Sequence, residues 1–205
     1  MGRILMLALL FFVGAAAVSG ARADEPAGGF LARPLADALS SGFFSWFHLA
    51  EVGKSVDAQG RRVISYKPSG PRFHGLTTLE VTLDAGDKVQ RMDLWLLRSF
   101  IDSGGDGPFA RDIAKSFLHD APAPADAATL AELAGEIEYR LSSGERVITG
   151  PGYRKPELPA EPSGGYEAYR GARASYETML AHCRLEMRNE PGPDGAALRL
   201  ALIAR

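Results

Sequence analysis

The chain has 205 residues, with 23 basic and 25 acidic side chains and a formal net charge of −2. This mild acidity argues against a nucleic-acid partner or an anionic-membrane partner, because both require a concentrated positive face. The one cysteine, Cys183, excludes an internal disulfide, and a chain of this length is expected to fold as one domain stabilised by its core.

The first 23 residues have the pattern of a cleavable signal peptide. Arg3 precedes an uncharged apolar run at 4–18, and small residues end at Ala21-Arg22-Ala23, the pattern that a signal peptidase recognises. The run is shorter than the roughly 20 residues of a membrane-spanning helix, although an uncleaved anchor is the alternative. We therefore predict an exported protein, periplasmic or secreted, with no membrane span after cleavage. The composition favours a bacterial source.

A helix is predicted after a short lead-in at 24–30, and Pro34 suits its first turn. Its apolar residues recur at spacings of three and four. These residues are Leu35, Ala38, Leu39, Gly42, Phe43, Trp46, Leu49 and Ala50. A competing interpretation ends the helix at 40–42 and makes 43–50 a strand. Because Phe44 and Phe47 lie off the helical face, a further hypothesis has the aromatic run 43–47 line a groove for sugars or lipids.

Alternating apolar and polar residues predict two hairpins in the first half of the chain. The paired segments are 52–56 with 62–66, and 76–83 with 89–98. Turn-forming residues occupy the two connections, and Asp84 and Asp87 are expected there for turn chemistry alone.

Two helices are predicted at 109–118 and 130–141, where apolar residues recur at helical spacing. Asp106 is expected to cap the first of them. A short strand is expected at 146–149, before a segment rich in proline and glycine.

The end of the chain has the strongest pattern of all. From Met179 to Met187 every second residue is apolar or small, and Leu198, Leu200 and Leu202 alternate again beyond a turn. Hairpin connections leave no room for the crossovers that parallel strands need. The sequence therefore predicts an α+β fold, with a mostly antiparallel sheet of about six to seven strands built from hairpins and packed by about three helices.

No catalytic or metal-binding motif is found. The four histidines, at 48, 74, 119 and 182, have no second ligand at metal spacing, and the segment 102–107 lacks the oxygen ligands of a calcium loop. Cys183 shares strand parity with core residues, and we expect it to be buried and inert. We therefore predict no catalytic residue, no metal site and no cofactor.

The segment 150–165 is the candidate for binding. It contains four prolines together with Tyr153, Arg154 and Lys155, and three further candidate binding residues follow it in the chain. These are Tyr166, Tyr169 and Arg170. Long structureless loops are usually functional or disordered, and tyrosine and arginine are the residue types that interfaces favour. The alternative is a connector that its prolines stiffen.

Two hypotheses of function follow from these patterns. The first is a non-catalytic periplasmic binding or interaction protein, whose partner is an envelope protein or a small ligand. The second is an exported, hydrolase-like enzyme whose site is assembled only by tertiary structure. An enzyme requires converging histidines or carboxylates in a pocket, whereas a binding protein requires an exposed apolar or Tyr/Arg patch. The sequence leaves the oligomeric state open.

Overall fold

A computed structural model of the chain describes residues 29–142 and 160–205. The described strands are β1 (Leu49–Val56), β2 (Arg62–Pro68), β3 (Thr77–Leu83), β4 (Val89–Leu97), β5 (Ser175–Met179), β6 (Cys183–Gly192) and β7 (Gly195–Ala204). The described helices are α1 (Leu35–Leu39), α2 (Gly42–Trp46), α3 (Arg98–Ile101), α4 (Gly107–Asp120), α5 (Pro124–Ser142) and α6 (Gly164–Arg170). The leader at 1–23, the strand expected at 146–149 and residues 150–159 of the Pro/Gly-rich segment lie outside this part of the chain.

All seven strands form one antiparallel sheet, in the order β1-β2-β3-β4-β7-β6-β5. Two meanders of consecutive strands, β1–β4 and β5–β7, meet where β4 pairs with β7 over Arg91–Ile203 to Leu97–Ala197. Helices α3 to α6 connect the two meanders. The predicted α+β class and its antiparallel sheet are therefore confirmed.

One face of the sheet is apolar because every second side chain of the central strands is a leucine, valine or methionine. The residues on this face of β3, β4, β7 and β6 are fully or almost fully buried. They are Leu79, Val81, Leu83, Met92, Leu94, Leu96, Leu198, Leu200, Leu202, Cys183, Leu185 and Met187. They pack with the buried residues of the helices in a single hydrophobic cluster.

The opposite face of the sheet carries charged residues in register. One row of residues crosses the sheet through opposite positions of neighbouring strands. In this row Glu80 lies opposite Asp93, Asp93 and Glu186 both lie opposite Ala201, and Glu177 lies opposite Glu186. Arginines of the neighbouring rows neutralise the buried members: Arg91 donates to both oxygens of Asp93, at 2.6 and 2.7 Å. Arg184 lies 2.7 Å from Glu186.

The long helix predicted from residue 35 to 50 is wrong. Ser40 and Ser41 donate their hydroxyls to the carbonyls of Asp37 and Ala38, at 2.9 and 2.6 Å, and the chain leaves α1 there. Serine hydroxyls compete in this way with the backbone bonds of a helix. A second helix, α2, begins at Gly42, and the strand β1 begins at Leu49. The competing interpretation was right about the break and wrong in making 43–48 a strand.

The break changes which aromatic side chains reach the core. Phe44 and Phe47 are 4% and 7% exposed, whereas Trp46, expected on the buried face, is 79% exposed. Phe43 packs against Phe117 of α4, with ring centroids 6.2 Å apart. Aromatic contacts of this kind fix α2 on the helical layer and leave the indole of Trp46 outside.

The alternating segment from Met179 to Met187, predicted as part of one strand, is divided between β5 and β6 with a turn at 180–182. Asp126, which is 2% exposed in the first turn of α5, accepts the backbone N–H groups of Ala181 and His182, both at 2.9 Å. This contact stops the ladder, and Met179, expected in the core, is 55% exposed on the edge strand. Asp106 precedes α4 as expected, but its side chain makes no capping bond and pairs with Arg72 instead.

Replacement of Asp126 by alanine should destabilise the fold. The change leaves two backbone N–H groups without an acceptor, and we expect a loss of about 1.5–3 kcal/mol in the free energy of unfolding, measured by urea denaturation. Asp126→Asn retains one acceptor oxygen and should lose less. The control is Asp112→Ala, an exposed residue of α4, which should change the free energy by less than about 0.5 kcal/mol. Equal losses in the two alanine variants would contradict this role for Asp126.

Candidate functional site

The helical layer contains an open cleft of about 940 Å³ between the α1–α2 segment and the α4–α5 pair. One wall is formed by residues 29–46 and the other by residues 115–135. The lining residues are Gly29, Phe30, Arg33, Asp37, Ser40, Ser41, Gly42, Trp46, Lys115, Ser116, His119, Asp120, Pro122, Pro124, Ala127, Ala131, Ala134 and Gly135. Its volume lies within the range of about 300–1,000 Å³ that small-molecule sites occupy.

Small residues of α5 form the floor of the cleft. Ala127, Ala131, Ala134 and Gly135 recur at helical spacing and therefore share one face. Because none of them carries a side chain longer than a methyl group, a ligand can approach the backbone of α5 closely. Phe30 closes the apolar floor from the opposite wall.

Trp46 stands at the rim of the cleft as its largest exposed apolar side chain. It is the last residue of α2, and Gly42 lies one turn before it on the same face, where it adds no side chain of its own. The position of the indole follows from the helix break at 40–41, since a continuous helix would have turned it towards the core. Of the aromatic run 43–47, Trp46 lines this cleft, whereas Phe44 and Phe47 are buried in the core; a groove for sugars or lipids stays a hypothesis.

The charged residues of the cleft are paired. Arg33 lies 2.8 Å from Asp37, and Lys115 pairs with Glu138 of α5. His119 Nδ1 lies 2.7 Å from Asp120 Oδ1. The rim therefore offers donors and acceptors side by side with little net charge.

Two groups of residues bear on catalytic chemistry in the part of the chain that the structure describes: the metal-ligating side chains and the one thiol. No group of three or more His, Cys, Asp or Glu residues that could hold a metal ion occurs there. Cys183 is 1% exposed, as expected, and burial, with a hydrogen bond to Asp126, raises the pKa of its thiol to about 12. A thiol with such a pKa stays protonated near neutral pH and is not a nucleophile.

The residues predicted for binding at 150–170 lie away from the cleft or outside the described residues. Tyr153, Arg154 and Lys155 belong to the undescribed segment. On α6, Tyr166 is half-buried under the guanidinium of Arg140, Tyr169 is fully buried, and Arg170 is exposed. Their binding role stays a prediction.

Hydrogen bonds at both ends hold α6 in place. Arg98 donates to the carbonyls of Tyr169 and Arg170 at its carboxyl end, at 2.6 and 3.1 Å. At its amino end, Glu136 accepts the backbone N–H of Ser163 at 3.0 Å and the Nε of Arg140 at 2.6 Å. Burial acts to raise the pKa of Glu136, but the bonds from Ser163 and Arg140 outweigh it, and the pKa lies below its ordinary value of 4.5.

The low pKa of Glu136 predicts a pH-dependent contribution to stability. A carboxyl group whose pKa is depressed by folding stabilises the protein above its unfolded pKa, and this contribution is lost as the pH falls through the folded value. We expect Glu136→Gln to cost about 1–2 kcal/mol in the free energy of unfolding at pH 7 and progressively less below pH 4.5.

The measurement is urea denaturation of wild type and variant across the acid range. Glu132→Gln, an exposed residue one turn earlier on α5, is the control and should change the free energy of unfolding by less than about 0.5 kcal/mol. A cost of Glu136→Gln that stayed constant down to pH 2 would contradict the assignment.

Comparison with protein-family models, with curated proteins and with solved structures finds no match for this chain. The function is therefore argued from its own residues. The cleft escaped the sequence analysis because its walls come from segments about 70 residues or more apart in the chain. The one local indication of it was the Ser-Ser-Gly sequence at 40–42.

Proposed function

We propose that this chain is a non-catalytic binding protein that holds a small amphiphilic organic ligand in the cleft between α1–α2 and α4–α5. The observation that carries the proposal is Trp46, 79% exposed at the rim of a cleft of about 940 Å³. Tryptophan is among the residues that contribute most to binding when a partner covers it. Its ring presents a flat apolar surface with one N–H donor at its edge, which suits a ligand with both apolar and polar parts.

The apolar floor supports the same proposal. Ala127 and Ala131 offer a surface that gains free energy when a ligand removes it from water, at roughly 25 cal/mol per Å² of apolar area. Small-molecule sites combine such apolar linings with a few polar groups that orient the ligand. The paired side chains of the rim are suited to that second task.

An exported hydrolase is the alternative, and the cleft offers one set of side chains to it. Ser116, His119 and Asp120 line the cleft on α4, and the imidazole is hydrogen-bonded to Asp120. The imidazole and carboxylate are 69% and 36% exposed, so water screens both. Among the described contacts, the Ser116 hydroxyl makes no hydrogen bond to His119, and a nucleophile requires that bond for activation. Binding is therefore the function we favour.

We further propose that the protein acts outside the cytoplasm, as the leader pattern at 1–23 predicts. In the part of the chain that the structure describes, no helix is both long enough and apolar enough to cross a membrane. An envelope location would bring the cleft into contact with the amphiphiles of that compartment.

The test uses N-phenyl-1-naphthylamine, a neutral apolar dye that becomes fluorescent in an apolar site. Residues 24–205 should bind the dye in a saturable manner, and Trp46→Ala should weaken the affinity by about tenfold or more, since such aromatic residues contribute about 1.4–2 kcal/mol or more. Trp95→Phe is the matched control, because Trp95 lies on the charged face of the sheet, where its Nε1 donates to Glu80 at 3.0 Å. Unchanged binding by Trp46→Ala, or an equal loss in Trp95→Phe, would refute the site.

A further inference from the structure

We infer that the ligand of the cleft is an uncharged amphiphile, with an apolar body on the α5 floor and a neutral, hydroxyl-bearing head group at the rim. This inference rests on the proposed function and defines the ligand class of the same site. It follows from the charge balance, the hydrogen-bonding capacity and the geometry of the rim.

The charged groups of the rim have partners. Arg33 pairs with Asp37, Lys115 pairs with Glu138 of α5, and the Asp120 carboxylate is hydrogen-bonded to His119. An anionic head group would meet cations that already have carboxylate partners, and a cationic head group would meet carboxylates that already have donors. At this partly exposed rim either charged head group would therefore gain little attraction in return for the hydration that it gives up.

The hydrogen-bonding groups of the rim suit hydroxyl groups. A hydroxyl donates one hydrogen bond and accepts others, whereas a carboxylate only accepts and an ammonium group only donates. The pairs Arg33–Asp37 and His119–Asp120 each place a nitrogen donor within 2.8 Å of an acceptor oxygen. A head group with several hydroxyls can bond to both members of such a pair without breaking it.

The serines of the helix break add acceptors to this rim. Ser40 and Ser41 donate their hydroxyl protons to the carbonyls of Asp37 and Ala38, so the lone pairs of both oxygens are left to accept hydrogen bonds. Both residues line the cleft. They can therefore accept hydrogen bonds from ligand hydroxyls, which a carboxylate has no proton to donate.

The experiment compares three ligands that share an eight-carbon chain and differ in the head group. These are n-octyl β-D-glucoside, nonanoate and octyltrimethylammonium, each used below its micelle concentration. Binding to residues 24–205 carrying Trp95→Phe is followed by the fluorescence of Trp46. We expect the glucoside to bind at least tenfold more tightly than either charged ligand.

A charge variant tests the cause of this preference. Asp37→Asn removes one carboxylate from the rim, and the affinity for nonanoate should rise by roughly two- to fivefold, the effect of a partly exposed charge, while the affinity for the glucoside changes by less than twofold. Asp112→Asn makes the same change of net charge on α4 outside the cleft and should alter neither affinity.

The outcomes separate this inference from the proposed function. Nonanoate or octyltrimethylammonium that binds as tightly as the glucoside, and displaces the naphthylamine dye from the cleft, would overturn the neutral head group and leave the binding function intact. Failure of all three ligands and of the naphthylamine dye to bind would overturn both.

Discussion

The antiparallel pairing of β4 with β7 is the contact on which the rest of the molecule depends. It joins into one sheet the two meanders, which the helices α3 to α6 separate in the chain. Its register places Leu94 opposite Leu200 and Asp93 opposite Ala201. Because side chains alternate along a strand, this register gives all the central strands the same apolar face and the same charged face. A shift of one residue would place leucines among the arginines.

The two faces have different consequences. The helices pack on the apolar face and bury it in a core that includes Phe43, Phe117 and Tyr169. On the charged face, arginine side chains shield the buried carboxylates from solvent. Asp93 and Glu186 are 5% and 6% exposed and lie under the arginines that neutralise them. Both of these buried carboxylates therefore have charged partners within the sheet. The helical side, where α1–α2 and α4–α5 separate, is where an apolar surface remains open.

The sequence predicted the parts of this fold that local patterns determine. The hairpins at 49–68 and 77–97, and the helices α4 and α5, follow from periodicities of two and of 3.6 residues that tertiary contacts do not override. The errors have a common cause in contacts that periodicity does not contain. Two serine hydroxyls ended a helix whose apolar spacing continued through them, and a carboxylate 55 residues away divided a strand whose alternation was unbroken.

The candidate site could not be predicted for the same reason. Trp46 lies on the apolar face of an ideal helix, and only the break at Ser40 and Ser41 turns it outwards. The small residues of the opposite wall are Ala127, Ala131, Ala134 and Gly135, and their spacing in sequence indicates nothing more than a helix.

The location of the ligand is the central claim, and amide hydrogen exchange of residues 24–205 with and without n-octyl β-D-glucoside tests it most directly. A ligand in the cleft should slow exchange in α1, α2, the second half of α4 and the first half of α5, and leave β4, β6 and β7 unchanged. Protection confined to the sheet or to α6, with none in these helices, would contradict it.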